Sequence, residues 1–288
     1  MTYARGLIKK ESAYLQKVGN QIAITNKLLV NTNEKLAKEY FKKGTYCSDK
    51  NDYNGAIFNY SRIIELEPDN SDAYLAYILR GIQMDRQKDY QGAIEDYSKA
   101  IELKPDDRTA YYLRGMAKAH SQDYKGSIKD CTKAIELKPD YESYSDRGNA
   151  KGILKDYRSA IEDFNEAIVL KSDYAIAYYC RGQAKKEIED IKGAIEDFNK
   201  AIKLEPDNAF VYNYRGNAKK HINDYKVSLE DYSKAIVLNS NYADAYFNRG
   251  LVKKEIGETE SAYYDWMQAK KLGDKNAEEM INKYCKNL

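Results

Sequence analysis

Histidines, cysteines and paired carboxylates are the side chains of this sequence that could do chemistry, and their spacing argues against it. The two histidines, His120 and His221, lie too far apart in the chain for helical spacing to bring them onto one metal ion. No HExxH, GxxxxGK[ST], GxSxG or GxGxxG motif occurs, so the signatures of zinc hydrolases, P-loops, nucleophile elbows and dinucleotide sites are missing. The four cysteines form no CxxC pair and are expected to be reduced thiols: Cys47, Cys131, Cys180 and Cys285. We expect no enzymatic activity, no cofactor and no metal site.

Adjacent carboxylates could form an acid–base couple, but here they recur regularly. The pairs are Glu95-Asp96, Glu162-Asp163, Glu196-Asp197 and Glu230-Asp231. A catalytic couple is expected once per site, whereas a recurring pair indicates an architectural role.

The recurrence belongs to a repeat of about 34 residues. A glycine recurs seven times after a basic residue: Gly44, Gly81, Gly115, Gly148, Gly182, Gly216 and Gly250. With this glycine at position 8 of each unit, position 4 is always Tyr, position 20 is small and position 24 is mostly aromatic. All four prolines fall at position 32: Pro68, Pro105, Pro139 and Pro206. The seven units are 37–70, 74–107, 108–140, 141–174, 175–208, 209–242 and 243–276.

Each unit is predicted to be a pair of antiparallel helices. Positions 1 to 14 lack proline, and the aspartate at position 16, as in Asp89 and Asp156, can cap a second helix. Proline at position 32 ends that helix. Small residues at positions 8, 20 and 27 allow the two axes to approach closely, and the aromatic residues at positions 4 and 24 are expected to fill the space between neighbouring hairpins. One hairpin cannot bury its apolar face alone, so the units must stack.

This pattern resembles the tetratricopeptide-repeat (TPR) family, through positions 4, 8, 20, 24, 27 and 32. The resemblance implies an all-α fold, a right-handed α-solenoid of stacked antiparallel helix hairpins (the TPR superhelix). Two positions depart from the family pattern, since position 7 is Arg in six units instead of Leu, and position 11 is mostly Lys instead of Tyr.

The resemblance also implies that positions 2, 5, 9, 12 and 13 line a concave groove. The predicted groove residues are Phe41, Thr45, Ile78, Ile82, Tyr112, Met116, Asn149, Tyr179, Gln183, Lys186, Asn213, Asn217, Lys220, Phe247 and Leu251. No unit has Lys at position 5, so a clamp for the carboxylate of chaperone tails is not expected. The function predicted is a non-enzymatic protein–protein interaction scaffold that holds a peptide or helical segment of a partner protein.

Two alternatives remain open. The groove residues could pack on another copy, which would make the protein a self-associating solenoid, a homo-oligomer without a separate ligand. An RNA-binding helical-repeat protein would need a basic track, whereas 47 Lys and Arg against 45 Asp and Glu leave a net charge of +2. Nucleic acid is therefore not the expected partner. No apolar run of transmembrane length and no signal peptide is visible, so a cytoplasmic location without membrane association is expected.

The arginines of position 7 have a matching series of aspartates at position 23. The arginines are Arg80, Arg114, Arg147, Arg181, Arg215 and Arg249, and the aspartates are Asp96, Asp130, Asp163, Asp197, Asp231 and Asp265. The unit with Lys43 at position 7 has Asn59 at position 23, so both change together. We hypothesise a ladder of Arg–Asp bridges, within or between hairpins; the alternative is two independent solvated faces.

The two ends lie outside the seven units. Residues 1–36 are predicted to form a degenerate eighth hairpin, since Arg5-Gly6-Leu7 resembles Arg249-Gly250-Leu251. Alternatively, Ile8, Leu15, Ile22 and Leu29, spaced by sevens, indicate one long self-associating helix. Residues 277–288 carry an apolar stripe that suits a capping helix.

Overall fold

The computed structural model describes residues 2–66 and 71–285, and the side chains of residues 16–17, 20–66 and 72–285. All regular structure in these residues is α-helical. The helices are α1 (Thr2–Asp49), α2 (Tyr53–Leu66), α3 (Ser71–Arg86), α4 (Tyr90–Leu103), α5 (Arg108–His120), α6 (Tyr124–Leu137), α7 (Tyr141–Ile153), α8 (Tyr157–Leu170), α9 (Ala175–Glu187), α10 (Ile191–Leu204), α11 (Ala209–His221), α12 (Tyr225–Leu238), α13 (Ala243–Glu255), α14 (Thr259–Lys271) and α15 (Ala277–Tyr284). The predicted all-α class is confirmed.

The turn between the two helices of each unit has one chemistry throughout. Position 15 has a left-handed backbone in every unit: Asn51, Lys88, Gln122, Lys155, Glu189, Asn223 and Gly257. In the first six units the aspartate at position 16 then accepts a hydrogen bond from the first turn of the second helix, as Asp156 does from the Ser159 amide; the seventh unit has Glu258 there, whose side chain makes no such bond. This confirms the predicted cap, which satisfies one of the free amides at a helix start.

The helices pack into two compact units that divide between Asp130 and Cys131. In the first unit, α1 packs on α2, α2 on α3, α3 on α4 and α4 on α5. In the second unit the same sequential packing runs from α7 to α15. The first helices also touch one another, as α1, α3 and α5 do in the first unit and α7, α9, α11 and α13 do in the second. Each unit is therefore a stack of helical hairpins with a row of first helices along one side.

The glycine at position 8 makes room for the aromatic ring at position 24 of its own hairpin. A Cβ atom placed on Gly182 would lie 2.7 Å from Cε1 of Phe198, and one on Gly216 would lie 2.7 Å from Cε1 of Tyr232. These are core rings with no exposed surface. Only glycine allows the helix backbone to approach the ring so closely, which offsets its weak helix propensity.

The hypothesis of an Arg–Asp ladder is confirmed, and the bridges lie within hairpins. Arg181 donates from Nε and Nη2 to the two carboxylate oxygens of Asp197, at 2.9 and 2.5 Å. The other bridges are Arg80–Asp96, Arg114–Asp130, Arg147–Asp163, Arg215–Asp231 and Arg249–Asp265. The aspartates are buried, so the alternative of two solvated faces is wrong.

Two further groups complete each bridge. The Lys of position 11 joins the same carboxylate in four hairpins, as Lys185 does to Asp197 at 2.9 Å, which accounts for that departure from the family pattern. The third arginine nitrogen, Nη1, donates to a hydroxyl or amide oxygen on the preceding hairpin. These acceptors are Ser61, Ser98, Thr132, Asn165, Asn199 and Ser233. Each arginine therefore ties its own two helices together and also links its hairpin to the one before.

Residues 2–36 form no hairpin, and that expectation is wrong. One continuous helix, α1, runs from Thr2 to Asp49, and none of its residues has the left-handed backbone found at every other turn. A lone glycine such as Gly19 weakens a helix by about 1 kcal/mol but does not end it. At the other end, α15 packs on α14 and buries Ala277 and Cys285 against Trp266; residues 286–288 of the predicted cap lie outside the described residues.

Candidate functional site

The candidate site is the surface of the first helices that carries positions 2, 5, 9, 12 and 13, here called the inner face. It is described separately for the two compact units. Position 5 faces the neighbouring helices, whereas positions 9, 12 and 13 lie progressively nearer the carboxyl end of each first helix. The side chains available to a ligand depend on how far the neighbouring hairpins cover them.

In the first unit most predicted groove residues are committed to packing. Ile78 is buried and belongs to the core around Tyr97, and Ile82 packs against that core. Thr45 donates its hydroxyl to the Phe41 carbonyl of its own helix. The guanidinium of Arg108 lies over the ring of Tyr112, 5.7 Å from its centroid, and Met116 is half-buried.

An opening on the first unit lies beside Phe41. The ring of Phe41 packs edge-on against Tyr60, and its other side lines a cavity of about 350 Å³ together with Lys38, Lys42 and Leu75. The lining also includes Ala37, Ile63 and Asp72. This opening holds a single predicted groove residue.

The second unit brings several predicted groove residues together. A cleft of about 570 Å³ lies between α7, α9 and α11, and Asn149, Gln183 and Lys186 line it. The remaining lining residues are Gly148, Gly152, Ile153, Tyr157, Phe164, Cys180, Ala184, Glu187 and Tyr214. The cleft thus has an apolar floor, with amides and a Lys–Glu pair at its rim.

Aromatic contacts hold the floor of this cleft in place. Tyr179 packs edge-on against Tyr214 at 5.4 Å between ring centroids, and its hydroxyl accepts a hydrogen bond of 2.7 Å from the Gln183 amide. Burial raises the pKa of Tyr179, so the phenol is neutral at physiological pH. Burial likewise raises the pKa of Cys180 to about 12, which keeps this thiol protonated and unreactive.

Lysines of position 12 lie along the inner face of α9, α11 and α13. Lys186 pairs with Glu187 at 2.8 Å, and Lys254 lies 3.4 Å from Glu255. Desolvation lowers the pKa of Lys220, nearby Glu255 opposes this effect, and Lys186 adds to it. A cation that is dehydrated in this way gains from an added anionic or carbonyl group of a ligand.

Other predicted groove residues of the second unit are occupied by the protein itself. Asn213 is 3% exposed, and its amide is bonded to Tyr242 and Asn248. Asn217 accepts a hydrogen bond from the Tyr232 hydroxyl at 2.8 Å. Phe247 and Leu251 pack against the core around Trp266. Asn213, like Ile78 in the first unit, therefore offers no surface to a ligand, because a large neighbour covers position 5.

The sequence interpretation missed an aliphatic row at position 14. Its members are exposed over 40 to 47% of their surface: Leu154, Ile188, Ile222 and Ile256. They follow the last residue of each first helix in the second unit, next to the exposed Ile153 at the cleft. The same position in the first unit is polar, with Lys50, Gln87 and Ser121. The signal was present in the sequence, as an aliphatic residue recurring every 34 residues directly before the turn.

The part of the chain that the structure describes has neither a cluster of metal ligands nor a candidate membrane span. No group of three or more His, Cys, Asp or Glu side chains there is placed to hold a metal ion. None of its helices combines the length and the apolar composition that crossing a bilayer requires.

The fold and the repeated hairpin packing define an α-solenoid of the TPR type, and sequence comparison agrees. A family profile described as TPR repeat matches residues 86–122, 148–189 and 216–257. Two profiles described as tetratricopeptide repeat match residues 175–208, and residues 37–70 and 109–141. These segments cover more than half of the chain, which belongs to the tetratricopeptide-repeat family.

Solved structures share the fold. A tetratricopeptide repeat protein from Parabacteroides merdae is 20% identical with a TM-score of 0.69, over 86% of this chain and 98% of that one. PilF of Pseudomonas aeruginosa is 18% identical with a TM-score of 0.64, over 73% and 97%. YrrB, described as a TPR protein with an unusual peptide-binding site, is 20% identical with a TM-score of 0.54, over 65% and 95%. No curated protein sequence matches the chain.

Proposed function

We propose that this protein is a non-enzymatic scaffold that binds an extended peptide or helical segment of a partner protein in the cleft between α7, α9 and α11. The observation that carries the proposal is the cleft of about 570 Å³ on the inner face. Its volume lies in the range of ligand pockets, and peptide-binding domains commonly hold one or two apolar anchor side chains in such openings.

The chemistry of the lining favours a peptide over a small metabolite or a nucleic acid. The apolar part of the lining includes Ile153, Tyr157 and Tyr214 and would receive an apolar anchor side chain. Asn149 and Gln183 at the rim can bond the main chain of a bound segment. The cleft has no cluster of cations for phosphates, because Lys186 is already paired with Glu187. The four free cysteines support a cytoplasmic site of action.

The proposal can be tested without knowledge of the natural partner. Random peptides displayed on phage are selected against the purified chain, and the affinity of the selected peptides is measured by fluorescence anisotropy. Ile153→Asp introduces a charge at the cleft, and we expect it to weaken binding at least about tenfold, because an apolar anchor would meet an unpaired carboxylate. Ile153 is 56% exposed, so the substitution should not disturb folding.

Val169→Asp is the matched control. Val169 is an exposed β-branched residue on the second helix α8 of the same hairpin, away from the cleft lining, so its variant should bind like the wild type. Equal affinity of the Ile153→Asp variant and the wild type for every selected peptide would contradict the assignment of the cleft. Binding of a single-stranded RNA with an affinity that falls steeply with added salt would instead favour the nucleic-acid alternative.

A further inference from the structure

Residues 20–32 of α1 are not covered by the hairpins. Every residue from Asn20 to Thr32 is exposed, including the large apolar side chains of Ile22, Leu28 and Leu29, at 55, 62 and 58%. Among the described side chains of α1, the first with a long-range hydrogen bond is Asn33, whose amide donates to the Leu66 carbonyl. Burial begins at Ala37, where α1 enters the first hairpin.

This composition does not suit a helix that stays alone in water. Residues 20–33 include isoleucine, threonine, valine and asparagine, which are weak helix formers, and only one charged residue, Lys27. Isolated helices are marginal even with favourable sequences, and most helix stability in proteins comes from packing of an apolar face. A surface with this many exposed aliphatic groups indicates an interaction site.

The spacing of the apolar residues indicates what covers them. Ile22, Leu29 and Leu36 are separated by sevens, and Thr25 and Thr32 take the intermediate positions of a heptad. The same spacing continues towards the amino terminus in the sequence, through Leu15 and Ile8. A sustained period of seven, rather than 3.6, is the pattern of a helix that supercoils with another helix.

The threonine hydroxyls in this stripe already have hydrogen-bond acceptors within α1. The Thr25 hydroxyl donates to the Gln21 carbonyl at 2.9 Å, and the Thr32 hydroxyl donates to the Leu28 carbonyl at 2.8 Å. Both hydroxyls are therefore satisfied inside their own helix and can be covered without the penalty of an unpaired polar group. A partner helix would meet the threonine methyl groups.

We propose that this stripe pairs with the same stripe of a second copy, so that two chains form a dimer through α1. The residues that flank the stripe are uncharged between positions 20 and 33: Gln21, Asn26, Leu28 and Asn33. Nothing there repels an identical helix, and no charge pattern selects a different one. A two-fold pair buries the same stripe of both chains. The inner face of each copy is not involved, so this inference is independent of the peptide-binding cleft.

The test is the mass of the full-length chain in solution, measured by size-exclusion chromatography with light scattering over a range of concentrations. We expect twice the chain mass of 33.2 kDa for the wild type. The variant Ile22→Glu/Leu29→Glu should raise the dissociation constant of the dimer about 100-fold or more, because two unpaired carboxylates per chain would enter the seam. The matched control is Val169→Glu/Val237→Glu, which alters two β-branched residues exposed by 76 and 77% on α8 and α12 and should stay dimeric.

The glutamate variant could lose the dimer simply because helix α1 unfolds, so a second variant tests the seam in the opposite direction. Thr25→Leu replaces a polar seam residue by the one that two-stranded coiled coils prefer, and it should tighten the dimer about tenfold or more. The proposal would be overturned if the wild type were monomeric at about 100 μM or formed an assembly other than a dimer. It would also be overturned if the glutamate variant remained dimeric, or if the Thr25→Leu variant dimerised no more tightly than the wild type. Circular dichroism of all variants shows that the hairpins remain folded.

Discussion

Truncation of Asp197 is the most informative perturbation of the Arg–Asp ladder. Its carboxylate is 5% exposed and accepts hydrogen bonds from Arg181 at 2.9 and 2.5 Å, and Lys185 lies 2.9 Å away. Asp197→Ala removes the only anion in this group and leaves two cations near each other, with little access of water to the guanidinium. The variant should therefore lose more stability than the loss of one hydrogen bond would predict.

The magnitude follows from what Arg181 retains. Removing one partner of a buried ion pair costs about 3 to 5 kcal/mol. Arg181 keeps 16% of its side-chain surface exposed, its hydrogen bond to Asn165 and its position over the Tyr178 ring, which places the cost near the lower limit, at about 3 kcal/mol. Arg181→Ala leaves the carboxylate with Lys185 and should cost about 2 kcal/mol.

The double variant Arg181→Ala/Asp197→Ala removes both charges of the pair. It should cost about 3 kcal/mol, less than the two single variants together, because no unpaired guanidinium remains. The coupling energy between the two residues is then about 2 kcal/mol. It is measured by urea denaturation of the wild type, the two single variants and the double variant, followed by circular dichroism at 222 nm. The comparison requires that the slope of unfolding free energy against urea concentration is the same for all four proteins.

Glu196→Ala is the control for this cycle. Glu196 precedes Asp197 in α10, carries the same charge and is exposed, so its loss should change the free energy of unfolding by less than about 0.5 kcal/mol. Additivity of the two single variants within about 0.5 kcal/mol would show that the bridge does not couple the helices, and the reasoning about the ladder would then be refuted.

Three further predictions concern the turns, the glycines and the tyrosines. Gly182→Ala should destabilise the protein by about 1 to 2 kcal/mol, because its Cβ would lie 2.7 Å from a core ring. Gly152→Ala should instead stabilise it by up to about 1 kcal/mol, because no atom lies within 4 Å of the added Cβ. Thermal denaturation compares the two variants. Lys155→Gly relieves a left-handed backbone (φ +65°) at a turn and should raise the free energy of unfolding by about 0.5 to 1 kcal/mol; an unchanged urea midpoint would contradict this. Burial raises the pKa of Tyr97 and Tyr232, so the stability gained by keeping these phenols neutral is complete below about pH 10 and is lost as the pH rises through their folded pKa; absorbance at 295 nm should show them ionising only together with loss of helix.

The hairpins and the Arg–Asp ladder could be predicted because the same residue types recur at the same positions in seven repeats. Arg at position 7 and Asp at position 23 change together, and the exception with Lys43 and Asn59 is as informative as the six matches. The first helix could not be predicted in this way, since residues 1–36 have no second copy to compare. A local likeness around Gly6 suggested a hairpin, but the segment lacks the left-handed turn residue that each of the seven hairpins has.

The candidate site was less predictable than the fold, because exposure at one position depends on the neighbouring hairpin. Asn213 and Tyr179 share position 5, yet Asn213 donates to the Tyr242 hydroxyl and is buried, whereas Tyr179 is half-buried and packs on Tyr214, which lines the cleft. The family pattern gives the direction of a side chain but not what covers it. Cys180, at position 6, lines the cleft beside Gly152, which stands at position 12 of the preceding hairpin and leaves open space around its Cα.

The hydrogen bond from Nη1 of each ladder arginine to the preceding hairpin affects which repeat units can be gained or lost in evolution. Every hairpin with the arginine carries a donor for the hairpin before it, and every hairpin from the first to the sixth carries a hydroxyl or amide acceptor for the one after it. A unit duplicated or deleted in the gene thus brings or removes both halves of a junction, and the new neighbours still match. The hairpin with Lys43 has no such donor, and residues 2–36 before it belong to the continuous helix α1. That unit therefore carries only the acceptor half of the junction, whereas the next five hairpins carry both halves.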